Sequence, residues 1–354
     1  MKMKKSSFIL FLILCLLVQS FLLVSCEKKT EKFSSYSFDY FDTVTTIVGY
    51  AESQEHFDAV SADILSELCE YHKLFDIYKR YNGLENLCTV NELQNGAHRT
   101  VKVDKKIIDM LLYAKDMYES TNGKVNIAMG SVLSIWHDYR TIGSDDPSAA
   151  SLPPIEDLTH ASYHTDINKL IIDEENSTVF IEDPMMKLDV GAIAKGYAVE
   201  MVAKTLEEKN ISGYVINVGG NVRTVGLKGD GNEWLVGIEN PEDSEDLPYL
   251  AYLELSDKAL VTSGSYQRYY IVDGKRYHHI IDPETLMPSE RYLSVSVICS
   301  DSAKGDALST ALFCMTLEEG LSLINSTDDA EAMWVESDGT THYSSNFESY
   351  LSKQ

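Results

Sequence analysis

The sequence predicts a mixed α/β fold of the α+β kind, and three observations predict it. Strand-like segments occur both in hairpin runs and singly before helical runs. Segments with apolar residues three and four apart lie between them and read as helices. The bulk composition is globular: 354 residues, 44% hydrophobic and 24% charged, enough for one large or two modest domains.

The N-terminus opens with basic "MKMKK", followed by an unbroken apolar run from Phe8 to Val18. That run is shorter than the ~20 residues a membrane span needs, so it reads as a secretory signal. The next stretch, Leu23-Val24-Ser25-Cys26, resembles a bacterial lipobox. It predicts cleavage before Cys26 and lipid on that thiol, each buried CH2 contributing ~0.8 kcal/mol of anchoring. The polar stretch Glu27 to Ser37 reads as a tether. The predicted division is therefore 1–25 signal, 26–37 tether and 38–350 folded domain.

Along the domain, "FDTVTTIVGYA" alternates and is rich in β-branched residues, a strand signature. Glu55 to Tyr81 reads as a helix from the spacing of Val60, Ile64, Leu68, Leu74 and Ile77. "RTVKV" is a short strand, and Asp104 is placed to N-cap a helix running through Tyr118. "GSDDPSAASLPPIEDL", rich in Pro and Ser, reads as loop, and "KLIIDEENSTVFIED" as a hairpin. A helix follows "DVGAIAKGYAVE" (Asp189–Glu200) to about Glu208. "GYVINVGGNVRTVG", "EWLVGIENP" and "YLAYLELSD" are strands with turns between them, and "YLSVSVICS" is a strand feeding a helix at Asp301. No internal repeat stands out.

The net charge of −25 argues against a nucleic-acid partner, because phosphate neutralisation needs a basic face. It also argues against electrostatic adsorption to anionic lipid. Residues 1–25 hold three lysines and no acids, so the mature chain has 27 basic and 55 acidic residues, a balance of −28. Beyond Cys15 and Cys26, the mature body has Cys69, Cys88, Cys299 and Cys314, with no C-x-x-C or Cys/His zinc spacing. Cys299 and Cys314 sit in apolar runs and read as buried thiols. A Cys69–Cys88 disulfide is open.

Chemistry concentrates in five segments. In "DVGAIAKGYAVE", Gly191 and Gly196 bracket Lys195. Backbone N–H groups at a helix start attract anions, so a phosphate site is one reading. The segment fits neither G-x-x-x-x-G-K-[ST] nor G-x-G-x-x-G, so a plain strand-to-helix corner is the other. "NVGGN" (217–221) and "VTSGSYQRYY" (261–270) end strands. "YHHIIDP" (277–283) is strand-like and turns at Asp282-Pro283; His279 in it reads as a base, a metal ligand or a packed histidine beside His278. In "DSAKGDALSTALF" (301–313), ~100° per residue puts Asp306 and Thr310 on one helical face, opposite Leu308, Ala311, Leu312 and Met315. A carboxylate and a hydroxyl one turn apart suit Mg2+, and a solvated polar face is the alternative.

Taken in this order and spacing, "DVGAIAKGYAVE", "NVGGN", "TSGSYQR", "YHHIIDP" and "DALSTALF" resemble the FAD:protein FMN transferases, the ApbE family. The resemblance runs from about Phe41 to the C-terminal strands and includes "FDTVTTI" and "LFDIYKRYN". It implies an ApbE-like fold, with mixed sheets flanked by helices, over 38–350. The implied reaction moves FMN from FAD to a threonine or serine hydroxyl of an acceptor protein and releases AMP. FAD hydrolysis to FMN and AMP is the second reading, and a non-catalytic, lipid-anchored flavin-binding protein the third. The implied partners are FAD and an acceptor flavoprotein of a membrane redox complex. The implied location is the bacterial cell envelope, lipid-anchored on the extracytoplasmic side. By position, Phe41, Tyr78, Ala128, Met129, Gly130, Asp189, Lys195 and Ile280 become FAD contacts. The Ala192 carbonyl, Asp306 and Thr310 become ligands of Mg2+, and His279 the base, with Asp306 the other catalytic group. Asn126, Ala128 and Ser131 depart from the family's usual Asp, Thr and Pro, and Leu286 stands where it usually has glycine.

Overall fold

A computed structural model describes residues 30–94, 99–242, 244 and 246–353. The predicted signal segment 1–25 and Cys26 lie outside the described residues. Within them no helix is long and apolar enough to cross a membrane.

In chain order, strands β1 (Glu31–Ser37) and β2 (Thr45–Ala51) precede helices α1 (Gln54–Phe75) and α2 (Leu87–Gln94). Next come β3 (Val101–Lys102), α3 (Lys105–Ser120), α4 (Gly130–Asp145), α5 (Ile155–Ser162), β4 (Leu170–Asp173) and β5 (Thr178–Ile181). Helix α6 (Ala194–Glu208) then leads into β6 (Tyr214–Val218), β7 (Asn221–Val225), β8 (Trp234–Glu239) and β9 (Tyr249–Leu255). Strands β10 (Ala259–Gly264), β11 (Tyr269–Val272), β12 (Lys275–His278) and β13 (Tyr292–Cys299) follow. The chain closes with α7 (Ser302–Cys314), α8 (Leu317–Asn325), β14 (Ala330–Glu336) and β15 (Thr341–Tyr343).

The architecture is the mixed α/β arrangement that the sequence predicts. An eight-stranded antiparallel sheet of order β1-β2-β6-β7-β10-β13-β14-β15 forms the spine. Helices α1, α6 and α7 pack on one face over the largest apolar core. The β8–β9 hairpin and Phe347 cover part of the other face through Ile238, Leu253 and Leu255. A third cluster joins α4, α5 and β11 around Trp136 and Tyr270. Buried on both sides, β13 reads as a nearly continuous buried run rather than an alternating one.

Four local expectations are corrected. Residues 31–37 are not a tether but the edge strand β1, paired along its length with β2. Its polar composition belongs to an exposed edge, while Phe33 packs on Phe57 with ring centroids 5.6 Å apart. Helix α1 ends at Phe75, not near Tyr81, because Asp76 turns extended and its carboxylate accepts the N–H groups of Tyr78 and Lys79. That break puts Tyr78 on a loop. The Pro- and Ser-rich stretch after Gly143 holds the end of α4, a 3-10 turn at Pro147–Ala149 and the start of α5. The approach to α6 is not a strand but an extended strap, with one isolated bridge between Met129 and Lys187. Cys69, Cys88, Cys299 and Cys314 are free thiols, and Cys69 does not pair with Cys88.

Candidate active site

The strap before α6 is fastened by backbone contacts. Asn91 clamps Leu188 from both sides, accepting its N–H at 2.7 Å and donating to its carbonyl at 2.9 Å. The N–H of Asp189 donates to Ile127 O at 2.8 Å, and Gly130 N–H to Lys187 O at 3.0 Å. A Cβ on Gly130 would stand 2.5 Å from Lys187 O, so glycine is what lets the strap run beside Ala128, Met129 and Gly130. Gly130→Ala is therefore expected to cost about 1–3 kcal/mol, the usual penalty of overpacking. A melting temperature equal to wild type would contradict it.

At the strap's end Asp189 Oδ1 accepts Gly191 N–H at 2.9 Å, and the chain turns into α6. The cap residue Ile193 supplies no side-chain bond to the helix start. Asp306 supplies one instead: its Oδ2 accepts Gly196 N–H at 2.8 Å. Asp306 lies on α7, which is buried nearly all round, so its face meets α6 rather than solvent. Leu308, Ala311, Leu312 and Met315 are buried on the other side, as the helical spacing predicts. Burial pushes the Asp306 carboxyl above the usual carboxylate range, against the pull of Lys195 and the Gly196 N–H.

The oxygens here suit a hard cation. Lys195 Nζ already sits 3.6 Å from Asp306 Oδ1 and 3.4 Å from the Gly191 carbonyl, a positive charge between a carboxylate and a main-chain oxygen. Asn221 faces the same carboxylate, and its Oδ1 is buried without a hydrogen-bond partner. Thr310 stands half-buried one turn beyond Asp306, and Ala192 is half-buried in the turn. Among the described residues no three His, Cys, Asp or Glu side chains gather as a metal cage. One carboxylate plus neutral oxygens is the donor set of Mg2+, which keeps waters or phosphate oxygens in its shell.

The two neighbouring histidines separate cleanly. His278 is structural: its ring bonds Ser289 O at 2.7 Å, and its Nδ1 accepts Ile280 N–H at 3.2 Å. His279 leaves Nδ1 buried with no partner. Burial lowers its pKa to about 3, helped by the charges of Arg268, Arg140, His278 and Lys195. Asp189 lies in the same field, its carboxyl raised by burial against the opposing pull of Gly191 N–H, His137, Arg140 and Arg268. Tyr78 is stacked on His137 with centroids 5.0 Å apart and interacts with Asp189, Arg140 and Arg268. Arg268 donates to the carbonyls of Phe41 and Asp42, both in left-handed backbone at φ 56° and 50°.

Thus the structure draws Phe41, Tyr78, Asp189, Lys195 and His279 into one charged neighbourhood. Ala128, Met129 and Gly130 flank its strap, and Ile280 follows His279. Lys195 links this neighbourhood to Asp306. Sequence reasoning misses Arg140 and His137 on α4, and it quotes Arg268 without assigning it a role. Among the described residues Arg140 bonds His137 and Arg268 bonds main-chain carbonyls rather than a carboxylate, an arrangement that only the fold reveals.

Comparison with known proteins gives this site its context. Residues 41–334 match the ApbE family. The chain belongs to the ApbE family. Among its relatives are the FAD:protein FMN transferases of Klebsiella pneumoniae and Vibrio cholerae. The first is 34% identical over 274 residues, 74% of this chain and 81% of that protein. The second is 29% identical over 349 residues, 94% of this chain and 96% of that protein. The ApbE protein of Thermotoga maritima superposes with a TM-score of 0.78 at 26% identity, over 91% of this chain and all of that one. The flavin transferase ApbE of Vibrio cholerae does so with 0.74 at 25% identity, over the same shares.

Two departures from the ApbE pattern are legible in the backbone. Asn126 Oδ1 accepts Ala128 N–H at 2.9 Å, a bond an aspartate would also make. Leu286, where the resemblance implies glycine, has φ 60°, the left-handed region where glycine is the unstrained residue. Its carbonyl accepts Trp136 Nε1–H at 2.9 Å, tying this turn to α4.

Proposed function

We propose that this chain transfers FMN from FAD to a threonine or serine hydroxyl of an acceptor protein, releasing AMP. The observation that carries the reading is His279: a buried ring nitrogen without a partner, surrounded by Arg140, Arg268 and Lys195, and joined through Lys195 to Asp306. Three cations with a neutral base are what a nucleophilic attack on a pyrophosphate needs. The relatives' shared name, FAD:protein FMN transferase, agrees with it.

In the proposed reaction the acceptor oxygen bonds to the flavin-bearing phosphorus, and the phosphorus–oxygen bond to AMP breaks. His279 takes the hydroxyl proton. Lys195, Arg140 and Arg268 hold the phosphate oxygens, and the Gly191 turn lets them approach the backbone. Tyr78 and Phe41 offer aromatic faces to the rings. Asp306, Thr310 and the Ala192 carbonyl would hold Mg2+. Bound there, it would neutralise charge on the bridging and leaving oxygens.

Incubating the protein with FAD, Mg2+ and a candidate acceptor tests this directly. The acceptor should gain the mass of FMN while AMP appears in equal amount. AMP and free FMN with an unmodified acceptor would mark a hydrolase instead. Lys195→Ala is expected to weaken FAD binding by about 1–3 kcal/mol, the range for a lost charge-assisted bond. An FAD titration matching wild type would remove that contact.

We also propose that the mature chain begins at a lipid-bearing Cys26, which would hold the enzyme at the extracytoplasmic face of the cell envelope near a membrane-bound acceptor. The sequence "FLLVSC" supports it. Cys26→Ser should yield an unprocessed or soluble form. A lipid-free wild-type N-terminal peptide, with membrane fractionation unchanged in the variant, would refute it.

A further inference from the structure

Glu200, the last residue of the motif that opens α6, is buried and has no part in the mechanism above. Gly196 and Glu200 are one turn apart on α6, and Ser302 and Asp306 are one turn apart on α7. The contacts between them are reciprocal. Gly196 N–H donates to Asp306 Oδ2 at 2.8 Å, and Ser302 N–H donates to Glu200 Oε2 at 2.8 Å. Each helix thus gives a carboxylate to a first-turn amide of the other, a group its own helix cannot satisfy.

The surroundings fix this junction. A Cβ on Gly196 would lie 2.3 Å from Ser302 O and 2.5 Å from Asp306 Cβ, so the helices touch there. Arg223 on β7, also buried, holds Glu200 Oε2 through Nε at 3.1 Å. Its other nitrogens bond Glu207 Oε1 at 2.8 Å and the Thr224 carbonyl. Lys204 Nζ lies 3.7 Å from Glu200 Oε1 and 3.5 Å from Asp301. Asp301 takes the next two α7 amides, Ala303 at 2.8 Å and Lys304 at 3.0 Å. The first turn of α7 is therefore held at every donor, and among the described residues its main-chain bond to α6 is the Ser302 bond to Glu200.

We propose that Glu200 is a positioning residue: anchored on Arg223, it sets the rotation of the first turn of α7 and so aims the Asp306 carboxylate at the Gly191 turn. The inference rests on the reading of Asp306 as the metal-holding carboxylate. Losing a partner that orients a metal ligand typically costs about 10–100-fold in metal affinity or activity.

Glu200→Gln keeps the size and one acceptor oxygen but loses the charge that grips Arg223. Ser302→Pro removes the donor at a first helical position, where proline is tolerated. Two quantities are read in each full-length variant: the Mg2+ dependence of AMP release, and hydrogen exchange of the Gly196 amide without metal. The half-saturating Mg2+ concentration should rise on the order of tenfold, with the rate at saturating Mg2+ little changed and Gly196 exchanging faster. A folded variant of either kind with wild-type Mg2+ dependence and Gly196 exchange overturns the proposal. So does a variant that melts lower yet keeps both readouts, since Glu200 would then only stabilise. Asp306→Asn separates the two readings. If it shifts the Mg2+ dependence and the Glu200 variant does not, only the positioning role falls. If it does not, the metal reading falls and this inference with it.

Discussion

Asp306→Ala is expected to abolish AMP release from FAD, a loss of more than about a thousandfold, as for removing a main electrostatic stabiliser. The side chain has two tasks in the structure, as an acceptor for Gly196 N–H and as the buried carboxylate beside Lys195. Alanine removes both. Thr310→Val should cost less, because a neutral hydroxyl attracts a divalent ion far less than an anion does. EDTA should silence the wild type and Mg2+ restore it. Full AMP release in EDTA, or normal turnover by Asp306→Ala, would sink the metal assignment.

The same residue carries a stability prediction of opposite sign. The folded Asp306 carboxyl has its pKa raised by burial. Folding therefore favours its protonated form, and its contribution is complete below the unfolded carboxylate range and lost as pH rises. The ionised side chain is thus a cost to the metal-free protein. Asp306→Asn, which keeps an oxygen for Gly196, should then melt higher than wild type in EDTA. A lower melting temperature would contradict this sign.

His279→Gln should lower flavin transfer by about a hundredfold to ten-thousandfold, the usual range for a general base, while FAD binding holds. The pH behaviour is the sharper test. With its pKa lowered to about 3, His279 is neutral throughout the physiological range in the free protein. The acid limb of kcat/KM that reports this residue should lie well below the pH of an ordinary histidine. Removing a neighbouring cation in Arg140→Ala should move that limb upward. The unfolded chain takes up this proton first, so the contribution of His279 to stability is full above about pH 6.5 and declines as pH falls toward 3. A His279 ring titrating near its ordinary value by NMR would remove the basis for this prediction.

Much of the fold was legible because its signals are local. Asp104 caps α3, accepting Lys106 N–H at 2.8 Å, as the sequence predicts. Two adjacent glycines, Gly219 and Gly220, both at positive φ, end β6 where "NVGGN" predicts a strand end, and they turn the chain back into β7. Two local readings failed, one for a tertiary reason and one for a local bond. The β1 edge looks like a polar tether until β2 pairs with it. The end of α1 is set by a side-chain bond from Asp76, which helical periodicity does not register.

What the sequence determined by itself, then, was the run of hairpins and capped helices, the motif set and the shared face of Asp306 and Thr310. Those follow from backbone bonding and side-chain spacing within a few residues. Only the tertiary structure decided what that face meets. It turned Asp306 from a plausible surface carboxylate into the acceptor for a helix start, and it gave His278 a full set of bonds while leaving His279 without a partner on Nδ1. It also brought Arg140 on α4 and Arg268 before β11 into the field of Asp189. Charge and proton affinity at a site depend on burial and on groups from distant segments, and these become neighbours only when the chain folds and water is excluded.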